Sequence, residues 1–386
     1  MNKNSSLYNF FLNIVLSPLS IFTFVWLFSI AIYLFSIDVS YKINSSSNLL
    51  IPVFLVSITV FSLTYLSFKL NVSHLQRMYI DNSKYINTQN IQIINRLIII
   101  VIILITLYNF LLFGPMPFFS VLGYDTINYK EYGRFKGVLI PLLTLLGLLS
   151  TYEKSFKLRL IKLSSVILMF VLYMLRGPLI LFTVQYFFMN LLYNKNKNFF
   201  KKILYLSILI YGIIYILGSL RTGSDLFISF FEIKPDFQEY NMGLLWLIMY
   251  VSSPFSDLLS TLQYQANYLY GVSILNDITP ALIEFSPTIA SPNIKFIDGP
   301  KTYLAPFYED FGWIGIILSN IIISIACFVI HADKRLNDNL LLVALMYSSL
   351  IFIFFTNYFF FFSNLVQLIL SIVIFHFIKY KVHNES

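Results

Sequence analysis

The chain has 386 residues, of which 58% are hydrophobic and only 11% charged, with a formal net charge of +8. A soluble domain carries about 25% charged residues, so this chain cannot cover itself with polar surface, and a freely soluble enzyme is excluded. The positive charge is scattered through short segments between apolar runs rather than gathered in one patch, which argues against nucleic acid and makes membrane lipids the expected surroundings.

Apolar runs of roughly 17–25 residues are read as spans. In chain order they lie near 14–35, 49–68, 97–113, 137–151, 160–175, 179–193, 203–220, 313–331, 340–355 and 361–378. Residues 1–6 are polar and no small-residue cleavage site follows the first run, so a cleavable signal is not expected. The predicted fold class is all-α: a polytopic transmembrane helical bundle of about ten spans, residues 1–386 forming one integral membrane domain. Most gaps are short. The exception is 221–310, a large loop that holds most of the hydrophilic mass.

Inner loops of membrane proteins collect Lys and Arg. With both termini inside, the inner side holds 17 of the 26 basic residues and 5 of the 18 acids. The outer side keeps 9 bases and 13 acids, and the long loop alone has 10 acids against 4 bases. Within that loop, Met242–Tyr264 opens with an apolar run and then meets Pro254 and Asp257. Read as a full span, it would move His331–Arg335 and Lys379–Lys381 outside against the charge rule. It is therefore expected to be a re-entrant or interfacial helix on the outer face.

No Walker loop, dinucleotide-binding glycine fingerprint or zinc-ligand cluster is present, so no cofactor and no metal are expected. Cys327 is the single cysteine, and it lies in an apolar run. His74, His331, His376 and His383 all fall at or near the inner face, so a histidine base for outer-face chemistry is not expected. Three arginines, Arg134, Arg176 and Arg221, stand beside span ends on the outer face. A guanidinium is a permanently charged planar fork suited to phosphate and carboxylate. Such a charge near a bilayer is costly unless paired. Snorkelling to headgroups is the plainer reading of each one; three on the side poor in positive charge point to anion binding.

A second constellation is Gly299-Pro300-Lys301-Thr302-Tyr303-Leu304-Ala305-Pro306-Phe307-Tyr308-Glu309-Asp310-Phe311-Gly312-Trp313-Ile314-Gly315. The glycines permit close backbone approach as the eighth span begins. Glu309 and Asp310 are expected at that helix's N-terminus, where negative charge is favoured; one of them is alternatively a general base. The loop is also rich in aromatics: Phe227, Phe230, Phe231, Tyr240, Trp246, Tyr250, Tyr264, Tyr268 and Tyr270. Aromatic faces beside polar groups suit sugars, although such residues also form interface belts.

About ten spans, one long outer loop late in the chain, outer arginines and the segment Tyr308-Glu309-Asp310-Phe311-Gly312-Trp313-Ile314-Gly315 leading into a span together resemble the bacterial oligosaccharide repeat-unit polymerases of the O-antigen polymerase (Wzy) type. The likeness is mainly topological, and its sharpest part is 299–315. In some members outer-loop arginines are followed by glycine at fixed spacing, and neither Arg176 nor Arg221 shows that pattern. The resemblance implies a glycosyltransferase of the bacterial inner membrane, multi-pass, with cytoplasmic termini and a periplasmic loop at 221–310. Its donor and acceptor would be oligosaccharides linked to undecaprenyl pyrophosphate, and a polysaccharide chain-length regulator would be a partner. Arg134, Arg176, Arg221, Tyr303 and Tyr308 would then bind substrate, with Glu309 or Asp310 as the base.

The alternatives are a lipid-linked oligosaccharide flippase, an O-antigen ligase and a membrane acyltransferase. A flippase would more often have about twelve spans, short loops and charges within the spans. Ligases typically use an outer-loop histidine, and acyltransferases a histidine in or near the membrane, where only His376 is available.

Overall fold

Apolar composition and well-placed caps set the helix boundaries. The computed structural model describes residues 16–43, 47–71, 87–126, 135–194, 199–264, 267–278, 302–332 and 338–379. Its helices are α1 (Pro18–Val39), α2 (Ser47–Asn71), α3 (Thr88–Phe113), α4 (Lys136–Leu149), α5 (Phe156–Leu172), α6 (Arg176–Asn194), α7 (Phe199–Thr222), α8 (Ser224–Phe231), α9 (Met242–Tyr264), α10 (Val272–Ile278), α11 (Leu304–Ala332), α12 (Leu340–Ile351) and α13 (Phe362–Ile378). Ser17 caps α1 by accepting the Ser20 N–H at 3.1 Å, with Pro18 in the first turn. Asn87 caps α3 by accepting the N–H groups of Gln89 and Asn90. Each side chain satisfies donors that a helix start leaves open. Among the described residues there is no strand, only an isolated bridge between Ser40 and Ile233.

Six segments are long and apolar enough to cross a membrane: Pro18–Val39, Asn48–Leu70, Thr88–Phe113, Ile203–Leu220, Met242–Gln263 and Leu304–Ala332. Their outer faces carry large apolar side chains such as Phe24, Leu63, Leu104, Leu111 and Leu204, all exposed. A continuous apolar surface of this kind is unstable against water and suited to lipid. The protein is membrane-embedded and helical. The expected ninth span, 340–355, is a helix of 12 residues that stops at Ile351; at 1.5 Å per residue it reaches roughly 18 Å of a roughly 30 Å hydrocarbon layer.

The chain divides into two compact units. The first takes residues 1–77, 224–336 and 349–361, the second 78–223, 337–348 and 362–386. In the second unit α4 is the central, most enclosed helix. Gly147 lets the Phe182 ring lie where a Cβ would otherwise sit, and Gly137 does the same for Phe362. Gln185 and Gln367 pair their buried amides, and the Asn339 amide donates to the Ser371 carbonyl at 3.0 Å.

In the first unit, α11 runs beside α2 in the same direction. The Asn320 amide donates to Ser57 Oγ at 3.4 Å, the Ser324 hydroxyl donates to the Phe61 carbonyl at 3.0 Å, and Phe328 meets Tyr65 edge-on at 5.7 Å. Trp313 therefore lies at the end of the unit where α1 stops and α2 starts. The exit of α8 is tied to the same end: the Lys234 N–H donates to the Val39 carbonyl at 3.0 Å and the Tyr41 N–H to the Glu232 carbonyl at 3.2 Å. Trp246, near the start of α9, stacks on Phe227 of α8 at 4.2 Å. Beyond α9 the chain is held at this end again, since the Leu269 N–H donates to the Glu309 carbonyl at 2.9 Å, just ahead of Trp313.

Helix α9 is a single helix of 23 residues, about 34 Å long at 1.5 Å per residue. The break expected at Pro254 and Asp257 does not occur; the helix continues through both. Its middle is enclosed by aromatic rings, with Phe255 against Trp26 at 5.5 Å and Tyr33 at 5.9 Å.

Candidate functional site

The site is built around a fold-back in α11. Gly312 has φ 63° and ψ −142°, which divides α11 into an arm, 304–311, and a shaft, 313–332. Backbone of this kind strongly favours glycine. The Tyr268 hydroxyl also lies against Gly312, 2.6 Å from where a Cβ would stand. At Gly315 a Cβ would fall 1.9 Å from the Phe307 carbonyl oxygen. The arm therefore lies back along the shaft. A straight helix would set residues 303 and 320 roughly 25 Å apart, yet the Tyr303 hydroxyl donates to Asn320 Oδ1 at 2.7 Å.

This corrects the expected place of the two carboxylates. Glu309 and Asp310 end the arm instead of opening the shaft, because the helix already starts at Leu304. The helix start they serve is that of α10. Asp310, fully buried, accepts the N–H of Ser273 on Oδ1 at 3.0 Å and the N–H of Ile274 on Oδ2 at 2.9 Å. The Tyr270 N–H donates to the Asp310 carbonyl at 3.3 Å. Glu309 is 7% exposed, and its Oε2 accepts from the Ser273 hydroxyl at 2.7 Å. Two adjacent acids thus hold one segment, 269–274, by side chain and backbone together.

Exposed aromatics stand in the same two segments, 268–270 and 311–313. Tyr270 is 81% exposed and held at φ 49°, left-handed backbone that a non-glycine residue rarely adopts. Tyr268, Phe311 and Trp313 are exposed as well. Strained residues persist where their surroundings over-determine them, and they gather at functional sites.

The other expected residues are distributed as follows. Tyr308 is buried, its hydroxyl 3.5 Å from the Leu262 carbonyl and its ring edge-on to Trp313 at 6.3 Å. Tyr303 was expected to contact substrate. It is fully buried, with its hydroxyl on Asn320 and its ring edge-on to Trp26, and it serves as a post for the arm. Arg176 opens α6 in the second unit after a tight turn, in which Met174 takes φ 54° and the Leu175 N–H donates to the Phe170 carbonyl at 2.9 Å. It is half-buried, and burial pushes its guanidinium down to about 10, which leaves it charged at neutral pH. Arg221 belongs to the last turn of α7, also in the second unit. Arg134 and residues 299–301 lie outside the described residues. Among the described residues no group of three or more His, Cys, Asp or Glu side chains forms a metal cage.

Sequence reasoning missed two residues. Ser273, in an unremarkable Gly-Val-Ser-Ile stretch, carries no signal of its own. In the sequence Asp257 reads only as an interruption of an apolar run. It is buried in α9 beside Ser253, Ser256 and Thr261, and the Thr261 hydroxyl donates to its backbone carbonyl at 2.9 Å. An acid inside an apolar helix is a functional candidate by default, and that signal was available.

No protein-family model, curated protein or solved structure matches this chain. The chemistry is therefore argued from the site itself. A carboxylate with little access to water, a hydroxyl on it and exposed aromatic residues in the adjoining segments can bind a sugar and take a proton from one of its hydroxyls.

Proposed function

We propose that the chain is a glycosyltransferase of the bacterial inner membrane, of the O-antigen polymerase (Wzy) type. It polymerises oligosaccharide repeat units carried on undecaprenyl pyrophosphate, as part of lipopolysaccharide or related surface polysaccharide synthesis. The growing chain leaves its lipid pyrophosphate and joins the terminal sugar of a new lipid-linked unit. The observation that carries this reading is the glycine-hinged fold-back of α11, which holds Glu309 and Asp310 against the segment 269–274, where Tyr270 is exposed. Glu309 is the base toward the acceptor hydroxyl, and Asp310 the residue that fixes the neighbouring segment. Arg176 and Arg221, in the second unit, are the candidate anion-binding residues.

In this reading the chain crosses the bilayer ten times with both termini cytoplasmic, as the distribution of Lys and Arg favours. Helix α9, within the periplasmic loop 221–310, is a re-entrant or interfacial helix of the periplasmic face in this reading. The ninth crossing combines α12 with the non-helical stretch that follows. Irregular backbone at that depth is tolerated where protein buries it, and Ile353, Phe354 and Asn357 are buried.

The test is loss of the gene in its host, read as surface polysaccharide on a gel. Single repeat units left on lipid A core are expected. An unchanged ladder of chain lengths overturns the proposal. Asp257 is the observation that favours a flippase instead; in that case, as for a ligase, no units would be attached at all.

A further inference from the structure

We propose that Ser273 is a proton relay to Glu309, taking the acceptor sugar's hydroxyl proton while handing its own to the carboxylate. The inference rests on the glycosyl-transfer reading above and adds a catalytic group to it. Ser273 Oγ donates to Glu309 Oε2 at 2.7 Å, inside the range in which a proton passes between heavy atoms. Glu309 is 7% exposed, whereas Ser273 is only half-buried. A sugar hydroxyl arriving at this end of the unit reaches the serine more readily than the oxygen behind it.

The orientation is imposed from both sides. A serine in the first turn of a helix ordinarily serves its own helix's backbone. Here the hydroxyl turns instead to a residue 36 positions away. The backbone of the same serine is held by Asp310, at 3.0 Å through its own N–H and at 2.9 Å through that of Ile274. Hydroxyl, base and orienting carboxylate thus form a connected set, the arrangement by which weak oxygen nucleophiles and relays are made effective. Glu309 and Asp310 divide the work: Asp310 fixes where Ser273 stands, and Glu309 receives the proton.

The step balances. The acceptor O–H proton moves to Ser273 Oγ as the Ser273 proton moves to Glu309 Oε2. The acceptor oxygen bonds to the anomeric carbon of the growing chain. The bond from that carbon to the pyrophosphate oxygen breaks, and its electron pair leaves with the pyrophosphate. Serine is regenerated, and Glu309 later returns its proton to water.

The test uses the purified full chain in detergent with a lipid-pyrophosphate-linked repeat unit, followed in a single turnover. Wild type should extend the unit. Ser273→Ala and Glu309→Gln should each slow extension by about 100-fold, the scale of a lost general base, while Ser273→Thr should stay within about threefold because it keeps the hydroxyl. Rates in mixtures of H2O and D2O should curve for wild type, with two protons in motion, and fall on a line for Ser273→Ala. A Ser273→Ala rate within about twofold of wild type sinks the relay alone. If that variant fails to fold, a straight isotope series for wild type and Ser273→Thr sinks it equally. A wild-type chain that extends nothing removes the glycosyl-transfer reading, and the relay with it.

Discussion

Tyr303 and Asn320 are 17 positions apart in sequence, and the hydroxyl of one lies 2.7 Å from the amide oxygen of the other. Both are fully buried. Asn320 in turn reaches Ser57 on α2 and the Ile316 carbonyl on its own helix, so this contact joins the arm, the shaft and the first hairpin. Tyr303→Phe keeps the ring and removes the donor. It is expected to lower stability by about 1–3 kcal/mol, the cost of leaving a buried acceptor without its partner. Thermal unfolding in detergent measures this, and an unchanged midpoint would count against the post role.

The two glycines of the fold-back should fail for different reasons. Gly312→Ala places a Cβ at positive φ and against Tyr268, at a cost of at least about 1–2 kcal/mol for the backbone alone. Adding Tyr268→Ala should return only the steric part. Gly315→Ala has no flexible side chain to displace, because the obstacle is the Phe307 carbonyl. It should be the more damaging of the two, read as yield of folded protein by size-exclusion chromatography.

Glu309→Gln and Asp310→Asn should separate activity from structure. Glu309→Gln keeps shape and an acceptor oxygen, so the fold should survive while extension falls by about 100-fold or more. Asp310→Asn turns one acceptor into a donor facing a backbone N–H, which leaves a buried donor unmet. It should loosen the segment it holds, seen as faster hydrogen exchange at 269–274. Equal protection in both variants would contradict the division of roles.

Helix α8 ends on Glu232 at φ 49°, with the Ile233 N–H closing onto the Ile228 carbonyl at 3.1 Å. That is the helix end at which glycine is preferred. Glu232 is exposed, so Glu232→Gly should raise stability by about 1 kcal/mol. A lower unfolding temperature would show that the side chain contributes more than its backbone strain costs.

Arg176→Lys and Arg221→Lys keep charge and lose the planar fork. If either guanidinium grips pyrophosphate through two hydrogen bonds, its lysine variant should shorten the polysaccharide. Unchanged chain length in both variants would rule out that contact.

Much of the helix order was legible in the sequence because apolar runs are long-range signals needing no partner. The shaft 313–332 and helices α1, α2 and α3 stand close to where hydropathy put them. The fold-back was legible only in part. Gly312 and Gly315 announced a close approach, but nothing local says that the arm turns back along the shaft, because its partners Asn320 and Ser57 lie far away in sequence. Pro254 misled for a related reason: proline weakens a helix locally, and α9 is held just beyond it by two rings of α1, Trp26 and Tyr33, packed against Phe255. Ser273 was invisible because its meaning comes entirely from Glu309.

The pairing of α11 with α2 also sets a timetable for synthesis. Ser57 and Phe61 meet their partners 263 residues later. At about 5–20 residues per second, the first hairpin waits on the order of tens of seconds, holding buried-type polar groups without their eventual partners while the whole of 78–223 is made and inserted. The first unit, although it starts first, therefore stays incomplete until after 78–223 has been made. While it waits, the hairpin is open to quality-control proteases, and mutations at Asn320 or Ser324 should show up as degraded protein before they show up as altered chemistry.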